Sequence, residues 1–292
     1  MGRSGFVSIV GRPNSGKSTL LNRLIGEKIS IVTDKPQTTR NVIRGILTQG
    51  DDQIVFLDTP GIHKPLHRMN ERMMKFVRAS LAEVDLILLM IDCTVPFGRG
   101  DEFTLDLVKP IKIPKFLLIN KVDQIQKELL LPIIERYSKL VDFAELIPMS
   151  ALTGENIDPL LTSILKLLPE GPMFYPSDQI SDQPARNIAA EIVREKLILL
   201  TYDEIPHSTA VVIDRFEESE AIHRIFATIL VERDSQKGIV IGRGGQTLKQ
   251  IGTNARQELE QFFGQKIYLE LHVKAKKDWR DDEAALRTVG FD

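Results

Sequence analysis

The 292-residue sequence predicts an α/β domain with a mostly parallel β-sheet, followed by a smaller α+β domain. Over residues 1–170, short apolar runs alternate with helical patterns, which is typical of buried parallel strands with helices on both faces. A proline-rich segment then interrupts the pattern. Beyond it, one helical pattern precedes two strand-like runs, so strand and helix no longer alternate.

Composition excludes several classes of protein. Hydrophobic residues make up 42% and charged residues 27% of the chain, which is ordinary for a soluble globular protein. The single cysteine, Cys93, excludes an intramolecular disulfide, and no Cys/His cluster has the spacing of a zinc site. Because Cys93 follows an apolar run, we interpret it as a packed residue rather than a reactive thiol.

The chain contains no long apolar segment. The longest charge-free apolar run, residues 86–91, is far shorter than the roughly 20 residues that a membrane-spanning helix needs. The N-terminus lacks a basic region followed by an apolar one, so we expect no secretory signal and a cytoplasmic location. Peripheral contact with the inner face of the cell membrane is left open.

Strand signals recur at intervals through the first domain. FVSIV (residues 6–10) leads into a glycine loop, and the STLLNRLIG that follows has a helical pattern. The further runs that predict buried strands are residues 53–61, 84–92, 115–121 and 145–150. Helical patterns lie between most of these runs, for example at 69–83 and 124–140.

Four prolines lie within PEGPMFYPSDQISDQP (169–184), where they disfavour helix and central strand. We therefore predict a first domain at 1–170, a linker at 171–184 and a second domain at 185–292. The elements predicted in the second domain are a helix at 185–200, strands at 208–218 and 223–234, and a strand at 266–274. Between these strands, apolar residues recur at helical spacing: Leu248, Ile251, Ala255, Leu259 and Phe262.

The first glycine loop, GRPNSGKS (11–18), has the pattern of a phosphate-binding loop between a strand and a helix. Glycine permits the close backbone approach that phosphates need, and Lys17 would reach the β- and γ-phosphates. The residues that we expect to bind phosphate are Asn14, Ser15, Gly16, Lys17, Ser18, Thr19 and Gly61.

A magnesium site is predicted next to this loop. The Ser18 hydroxyl would bind Mg²⁺ directly, and Asp58 of DTPG (58–61) would hold it through water. A second threonine ligand should come from KPQTTRNVIRG (35–45), where we favour Thr39 over Thr38.

NKVD (120–123) predicts selection of guanine. The Asp123 carboxylate can accept hydrogen bonds from N1–H and the 2-amino group, a donor pair that adenine lacks, so GTP is favoured over ATP. The candidate guanine-binding residues are Asn120, Lys121, Asp123, Ser150, Ala151 and Leu152. Each motif follows a predicted strand, and ligands of parallel sheets bind at the carboxyl ends of strands.

The motifs GRPNSGKS, PQTTR, DTPGIHKP and NKVD closely resemble those of the Era family of GTPases. The resemblance covers nearly the whole chain and implies an α/β P-loop GTPase domain followed by an α+β type II KH domain. It places Ile62 where Ras-like proteins carry a water-orienting glutamine, so intrinsic GTP hydrolysis should be slow, on the order of 10⁻⁴–10⁻² s⁻¹ or below. Asn14 matches an asparagine with which related GTPases bind K⁺; the alternative is that it only shapes the loop.

The second glycine loop lies in GIVIGRGGQTLKQIG (238–252) and resembles the GxxG signature of KH domains. Such a loop clamps the backbone of about four unpaired nucleotides beside an apolar groove. Nine Lys/Arg and four Asp/Glu between Lys237 and Arg280 form a patch of +5 in a chain of net charge −2. The candidate RNA contacts are Gly242, Arg243, Gly244, Gly245, Lys249, Lys274, Lys276, Lys277, Trp279 and Arg280. Trp279 would stack on a base or, alternatively, pack the tail onto the domain.

The resemblance implies a GTP-hydrolysing switch that binds the 3′ end region of small-subunit ribosomal RNA, but not DNA, and acts in assembly of the small ribosomal subunit. An alternative is an RNA-binding or chaperone-like protein in which GTP is structural and turnover is small. A GTPase of tRNA modification or metal transport, sharing only the first domain, is disfavoured by the glycines at 242–245.

Overall fold

A mostly parallel β-sheet forms the centre of the first of the two units into which the chain divides. The computed structural model describes residues 2–291. The first unit comprises Met1–Leu66 and Asn70–Asp182, and the second comprises His67–Met69 and Gln183–Asp292.

The sheet of the first unit has the strand order β2-β3-β1-β4-β5-β6. Its strands are β1 (Ser4–Gly11), β2 (Ile43–Gln49), β3 (Asp52–Asp58), β4 (Leu86–Asp92), β5 (Lys115–Asn120) and β6 (Glu145–Pro148). Only the edge strand β2, which the sequence analysis did not predict, runs antiparallel to its neighbour. The carboxyl ends of the parallel strands therefore meet at one edge, where the candidate motifs lie.

Helices cover both faces of this sheet. They are α1 (Lys17–Ile25), α2 (Arg68–Ser80), α3 (Arg99–Val108), α4 (Leu130–Ser138) and α5 (Ile157–Leu167). Strand β4 shows why the sheet is buried on both sides: Leu88 packs with the cluster under α1 and α5, whereas Leu89 packs with the cluster under α2 and α3. Near-continuous apolar runs are typical of strands buried on both faces.

Much of the predicted linker packs against the first unit. The Ile46 amide donates to the Ile180 carbonyl at 2.9 Å, and the Phe174 ring lies 4.7 Å from that of Phe6. Residues 171–182 are accordingly counted with this unit, although their prolines keep them out of helix and strand. Apolar and hydrogen-bonded contacts with the sheet edge, which composition does not reveal, hold this segment.

The second unit has a three-stranded sheet in the order β7-β8-β9, with β8 antiparallel to β7 and parallel to β9. Its elements are α6 (Ala185–Leu200), α7 (Ile205–Ser208), β7 (Ala210–Glu217), β8 (Ile222–Val231), α8 (Asp234–Ile241), α9 (Gln246–Phe263), β9 (Lys266–Ala275) and α10 (Glu283–Thr288). One face of the sheet packs on α6 and α9 through a core that includes Val193, Ile229 and Ile251. This order of elements confirms the predicted second fold.

Within residues 2–291, no helix combines the length and the apolar character needed to cross a lipid bilayer.

Candidate functional site

The phosphate loop lies between β1 and α1, as predicted. Gly16 precedes α1 with φ of 103°, and a Cβ there would lie 2.2 Å from the Asn120 side-chain nitrogen. Any larger residue would be strained and would collide with Asn120. The first-turn amides of Lys17, Ser18 and Thr19 have no intrahelical acceptor, and they present partial positive charge to an anion.

Lys17 is held at the base of this loop. Its ammonium group is buried and donates to the backbone carbonyls of Arg12 at 3.0 Å and Gly11 at 3.4 Å. Burial lowers the pKa of Lys17 to about 8, against the opposing attraction of Asp58. A phosphate oxygen beside Lys17 would supply the counter-charge that burial withholds.

The predicted magnesium ligands meet below the first turn of α1. The Ser18 hydroxyl lies 2.6 Å from Asp58 Oδ2 and 2.8 Å from Thr39 Oγ1. Asp58 is fully buried, its Oδ1 has no hydrogen-bond partner among the described residues, and burial raises its pKa. The geometry favours Thr39 over Thr38, whose hydroxyl donates to the Lys35 carbonyl at 2.7 Å.

These oxygens suit a small, hard cation. Mg²⁺ prefers oxygen ligands and is commonly bound by one or two protein groups together with phosphates and water. Among the described residues, no group of three or more His, Cys, Asp or Glu could form a metal site by itself. The arrangement therefore fits a metal ion that arrives with a phosphorylated ligand.

An open cavity of about 280 Å³ joins these groups. Its lining consists of Pro13, Asn14, Gly16, Lys17, Ser18, Thr19, Ile31, Val32, Thr33, Asp34, Gln37, Thr38, Thr39, Gly61 and Lys121. The structure thus gathers the candidate phosphate and magnesium residues around one space, except Ser15 and Asp58, which are not part of the lining. Of the candidate guanine residues, Lys121 reaches it.

The segment after Asp58 carries a histidine that the sequence analysis did not single out. His63 Nδ1 lies 2.8 Å from the Gly61 carbonyl, and Nε2 lies 3.1 Å from the Gln37 amide nitrogen and 2.9 Å from that of Asn70. A ring that is protonated at Nδ1 donates to the Gly61 carbonyl, and the Nε2 lone pair is shared between the amide donors of Gln37 and Asn70. His63 therefore connects the loop before β2 with the loop after β3.

Ile62 cannot orient a water molecule. Its side chain is 1% exposed in the core beneath α2 and α3, and its amide donates to the Gly11 carbonyl at 2.9 Å. The residue at this position contributes to packing and has no polar side-chain atom to offer.

Asn120 connects the phosphate loop to the loop after β6. Its Nδ2 donates to the Ser15 carbonyl at 2.8 Å, and its Oδ1 accepts from the Ala151 amide at 2.9 Å. The Ala151 amide is therefore engaged, whereas the Leu152 amide has no partner among the described residues. Arg23 of α1, a residue that sequence reasoning missed, donates to the carbonyls of both Ala151 and Leu152. The Ser150 amide bonds to the Glu155 carbonyl at 3.2 Å.

The two charged residues of NKVD are placed differently. Lys121 has φ of 68°, and its ammonium group lies 2.5 Å from the carboxylate of Asp92, at the end of β4. Asp123 is exposed and makes no side-chain hydrogen bond within residues 2–291. Its two oxygens are available to a ligand, as the selection of guanine requires.

In the second unit, the GxxG loop joins α8 to α9. Gly242 has φ of 76°, and a Cβ there would lie 2.2 Å from the Thr247 hydroxyl. Gly244 and Gly245 also have positive φ, but space is open around both. Ile239 on α8 is 53% exposed and supplies an apolar surface beside the loop.

Four candidate RNA cations are exposed. They are Arg243, Lys249, Lys274 and Lys277. Lys276 is half-buried and pairs with Asp282 at 3.0 Å, and Arg280 forms a two-point ion pair with Glu232 at 2.7 Å. Arg280 is therefore neutralised by a carboxylate and is less suited to a phosphate contact than the sequence suggested.

The prediction that Trp279 stacks on a base needs correction. Its ring is fully buried, and the indole N–H donates to the Ser208 carbonyl at 2.8 Å. The alternative prediction, that Trp279 packs the tail onto its domain, agrees with this geometry.

Comparison with known protein families gives two matches. A family described as "50S ribosome-binding GTPase" matches residues 6–121, and a family described as "KH domain" matches residues 204–280. The chain is also 50% identical over 290 residues to "GTPase Era" of Staphylococcus haemolyticus, covering 99% of this chain and 97% of that protein.

Solved structures of high similarity cover both units. One is a crystal structure of Era with MgGDPNP and nucleotides 1506–1542 of 16S ribosomal RNA, with a TM-score of 0.96, 43% identity, and coverage of 100% of this chain and 99% of that one. Another is a single-substitution variant of Aquifex aeolicus Era bound to GDP and AlF4⁻, with a TM-score of 0.95, 44% identity, and coverage of 99% of each chain.

Proposed function

This chain belongs to the Era family of GTPases, and from that premise we propose that it hydrolyses GTP and binds unpaired RNA from the 3′ end region of the small-subunit ribosomal RNA. Its role is assembly of the small ribosomal subunit, in the cytoplasm; peripheral contact with the membrane stays a prediction. The proposal rests above all on one observation: the hydroxyls of Ser18 and Thr39 converge on buried Asp58 directly below the free amides of α1.

The chain's own groups account for binding of the triphosphate. The α1 amides and Lys17 would hold the β- and γ-phosphates, and Ser18, Thr39 and Asp58 would hold Mg²⁺, directly or through water. Bound Mg²⁺ supplies positive charge that offsets the charge developing on the phosphates. Since Lys17 and the amides are fixed before the ligand arrives, they stabilise that charge without reorganising.

The γ-phosphate would act on two loops. Thr39 lies in the loop before β2 and Gly61 in the loop after β3, and both line the cavity. His63 joins these loops through Gln37 and the Gly61 carbonyl. Loss of the γ-phosphate after hydrolysis would release contacts in both loops together, which is the usual form of a GTPase switch.

We expect a monovalent cation to assist hydrolysis, because Ile62 leaves the water unoriented. Asn14 Nδ2 donates to the Asp34 carbonyl at 2.7 Å, while its Oδ1 has no partner among the described residues and would be the ligand for K⁺. Turnover should be on the order of tenfold faster in KCl than in NaCl, and Asn14→Ala should remove the difference. Equal rates for the wild type in the two salts would leave Asn14 with only the loop-shaping role that its bond to Asp34 supports.

The second candidate function is RNA binding with structural GTP and little turnover, and the apolar Ile62 favours it. Measuring phosphate release over many turnovers distinguishes a GTP-hydrolysing switch from an RNA-binding protein with structural GTP. We expect hydrolysis of GTP to continue beyond one equivalent and to accelerate when a short single-stranded RNA copying the small-subunit 3′ end is added. The matched control is the same sequence as DNA, which lacks the 2′-hydroxyl and should have little effect. A GTP-bound state that persists after RNA addition would favour the second function.

A further inference from the structure

A second cavity, of about 300 Å³, opens between the loop after β4 and one face of α4. Its lining consists of Ile91, Asp92, Cys93, Thr94, Val95, Pro96, Phe97, Leu129, Pro132, Ile133, Arg136 and Tyr137. The last five of these recur at the spacing i, i+3, i+4, i+7 and i+8, so they form one stripe along α4 and the turn before it. We call this site the α4 groove.

The mouth of the α4 groove is apolar and exposed. Val95 is 46% exposed on one side, and Leu129 is 54% exposed on the other. Exposed apolar side chains that flank one cavity favour an interaction site more than side chains scattered singly over a surface do.

One charge in the lining is not balanced by a carboxylate. Asp92 is engaged by Lys121 at 2.5 Å and by the Thr94 hydroxyl at 2.6 Å. The Arg136 guanidinium lies 5.4 Å from the centre of the Phe97 ring and, among the described residues, forms no ion pair; its neighbour Glu135 pairs with Lys139. Burial raises the pKa of Cys93 to about 11, so that thiol adds no negative charge at neutral pH.

We propose that the α4 groove binds an acidic, apolar segment of a partner protein, with one large apolar side chain in the cavity and a carboxylate paired with Arg136. Charge complementarity determines the acidic character, because Arg136 is the uncompensated charge. The exposed mouth favours a polypeptide over a small molecule, since a chain lying across the groove covers more of the exposed surface of Val95 and Leu129 than a ligand confined to the cavity does.

Occupancy of the α4 groove should influence nucleotide binding, a step that rests on the proposed guanine site. The Cys93 amide donates to the Asn120 carbonyl at 3.1 Å, and Asp92 holds the ammonium group of Lys121. The loop that a partner would press against is therefore bonded to two residues of NKVD. A partner that stabilises this loop changes the free energy of nucleotide binding, and nucleotide changes partner affinity by the same factor.

The test uses the full chain and two fluorescein-labelled nine-residue peptides. The acidic peptide alternates glutamate with leucine around a central tryptophan, and the basic peptide has lysine in place of each glutamate. We expect the acidic peptide to bind the wild type on the order of tenfold more tightly than the basic one, and Arg136→Glu to invert this preference. Leu129→Asp should weaken binding of the acidic peptide by a similar factor. Leu131→Asp, the same change at a position of α4 outside the cavity lining, should not.

Several results would overturn the assignment. They are absent binding, equal binding of both peptides, and binding that survives Leu129→Asp. Binding of indole-3-propionate that Leu129→Asp weakens, together with absent binding of the acidic peptide, would indicate a small-molecule site instead. Self-association in sedimentation that Leu129→Asp abolishes would indicate a second copy of this chain.

Coupling is measured separately, as the dissociation constant of fluorescent GDP. Saturating acidic peptide should change this constant about fivefold or more in the wild type and leave it unchanged in Arg136→Glu. An unchanged constant in the wild type would overturn the coupling. Failure of GDP to bind at all would instead contradict the proposed function, because peptide binding needs no nucleotide.

Discussion

Asp123→Asn is expected to weaken GTP binding on the order of a thousandfold or more while creating affinity for xanthosine triphosphate. The Asp123 carboxylate is exposed and makes no other hydrogen bond in the part of the chain that the structure describes, so both of its oxygens can accept from N1–H and the 2-amino group of guanine. An asparagine would turn an N–H group toward those donors. Sites built to hydrogen-bond a ligand reject an analogue that leaves those groups unpaired by on the order of 10⁴-fold. Xanthine carries an oxygen where guanine carries the 2-amino group, and so it pairs with the asparagine amide.

The measurement is a competition titration of fluorescent GDP with both triphosphates. Asp142→Asn is the matched control, because Asp142 is another exposed aspartate of the same unit and should leave both affinities unchanged. If Asp123→Asn bound GTP within a few-fold of the wild type, the carboxylate would not be the group that selects the base. Recovery of binding with xanthosine triphosphate also separates a change of specificity from a loss of fold.

The phosphate loop and the positions of the parallel strands along the chain were predictable because their determinants are local. GRPNSGKS specifies its own turn through glycines, and the buried strands are recognisable as apolar runs. The mostly parallel sheet and the second fold were confirmed. The antiparallel strand β2 was missed because IRGILTQ alternates only weakly between apolar and polar residues, and its pairing with β3 decides its conformation.

Contacts between distant residues could not be predicted. Asn120 hydrogen-bonds to both Ser15 and Ala151. Ser15 lies 105 residues before it in the chain, and Ala151 lies 31 residues after it. Arg23 holds the loop after β6, and nothing in the helical pattern around it indicates that role. A signal did exist for Asp92, since it ends a buried strand beside the one that ends in NKVD, and polar residues at such ends converge.

Counting charges predicted a basic patch in the second domain but not which of its side chains are unpaired and exposed. Arg280 contributes to the +5 patch in sequence, yet Glu232 neutralises it in the structure. Trp279 has an aromatic ring that could stack on a base, but in the structure this ring is buried in the core. Ion pairing and side-chain burial depend on tertiary packing. A stretch of sequence can therefore predict a charged patch without identifying which of its side chains face solvent.

Gly244→Asp is expected to weaken binding of the small-subunit 3′ RNA by more than about a hundredfold while leaving basal GTP hydrolysis unchanged. Gly244 has φ of 60° and ψ of 24°, a region that aspartate and asparagine tolerate better than other residues. Apart from its chain neighbours, no described residue lies within 4 Å of a Cβ there. The second unit should therefore keep its fold. The new carboxylate would face the sugar-phosphate backbone, and such like-charge contact costs several kcal/mol. RNA affinity is measured by fluorescence anisotropy, and hydrolysis by phosphate release.

Gly244→Asn separates the effect of charge from that of size, because the asparagine side chain has the shape of aspartate without its charge. This variant should lose much less affinity for RNA than Gly244→Asp. Lys17→Ala should give the opposite pattern, with loss of triphosphate binding and retention of RNA binding, since Lys17 lies in the other unit. Added salt should reduce the difference in RNA affinity between Gly244→Asp and Gly244→Asn, because salt screens charge repulsion but does not change steric contact. If Gly244→Asp bound RNA as tightly as the wild type, the GxxG loop would not approach the RNA backbone, and the surface that binds RNA would have to lie elsewhere on the second unit.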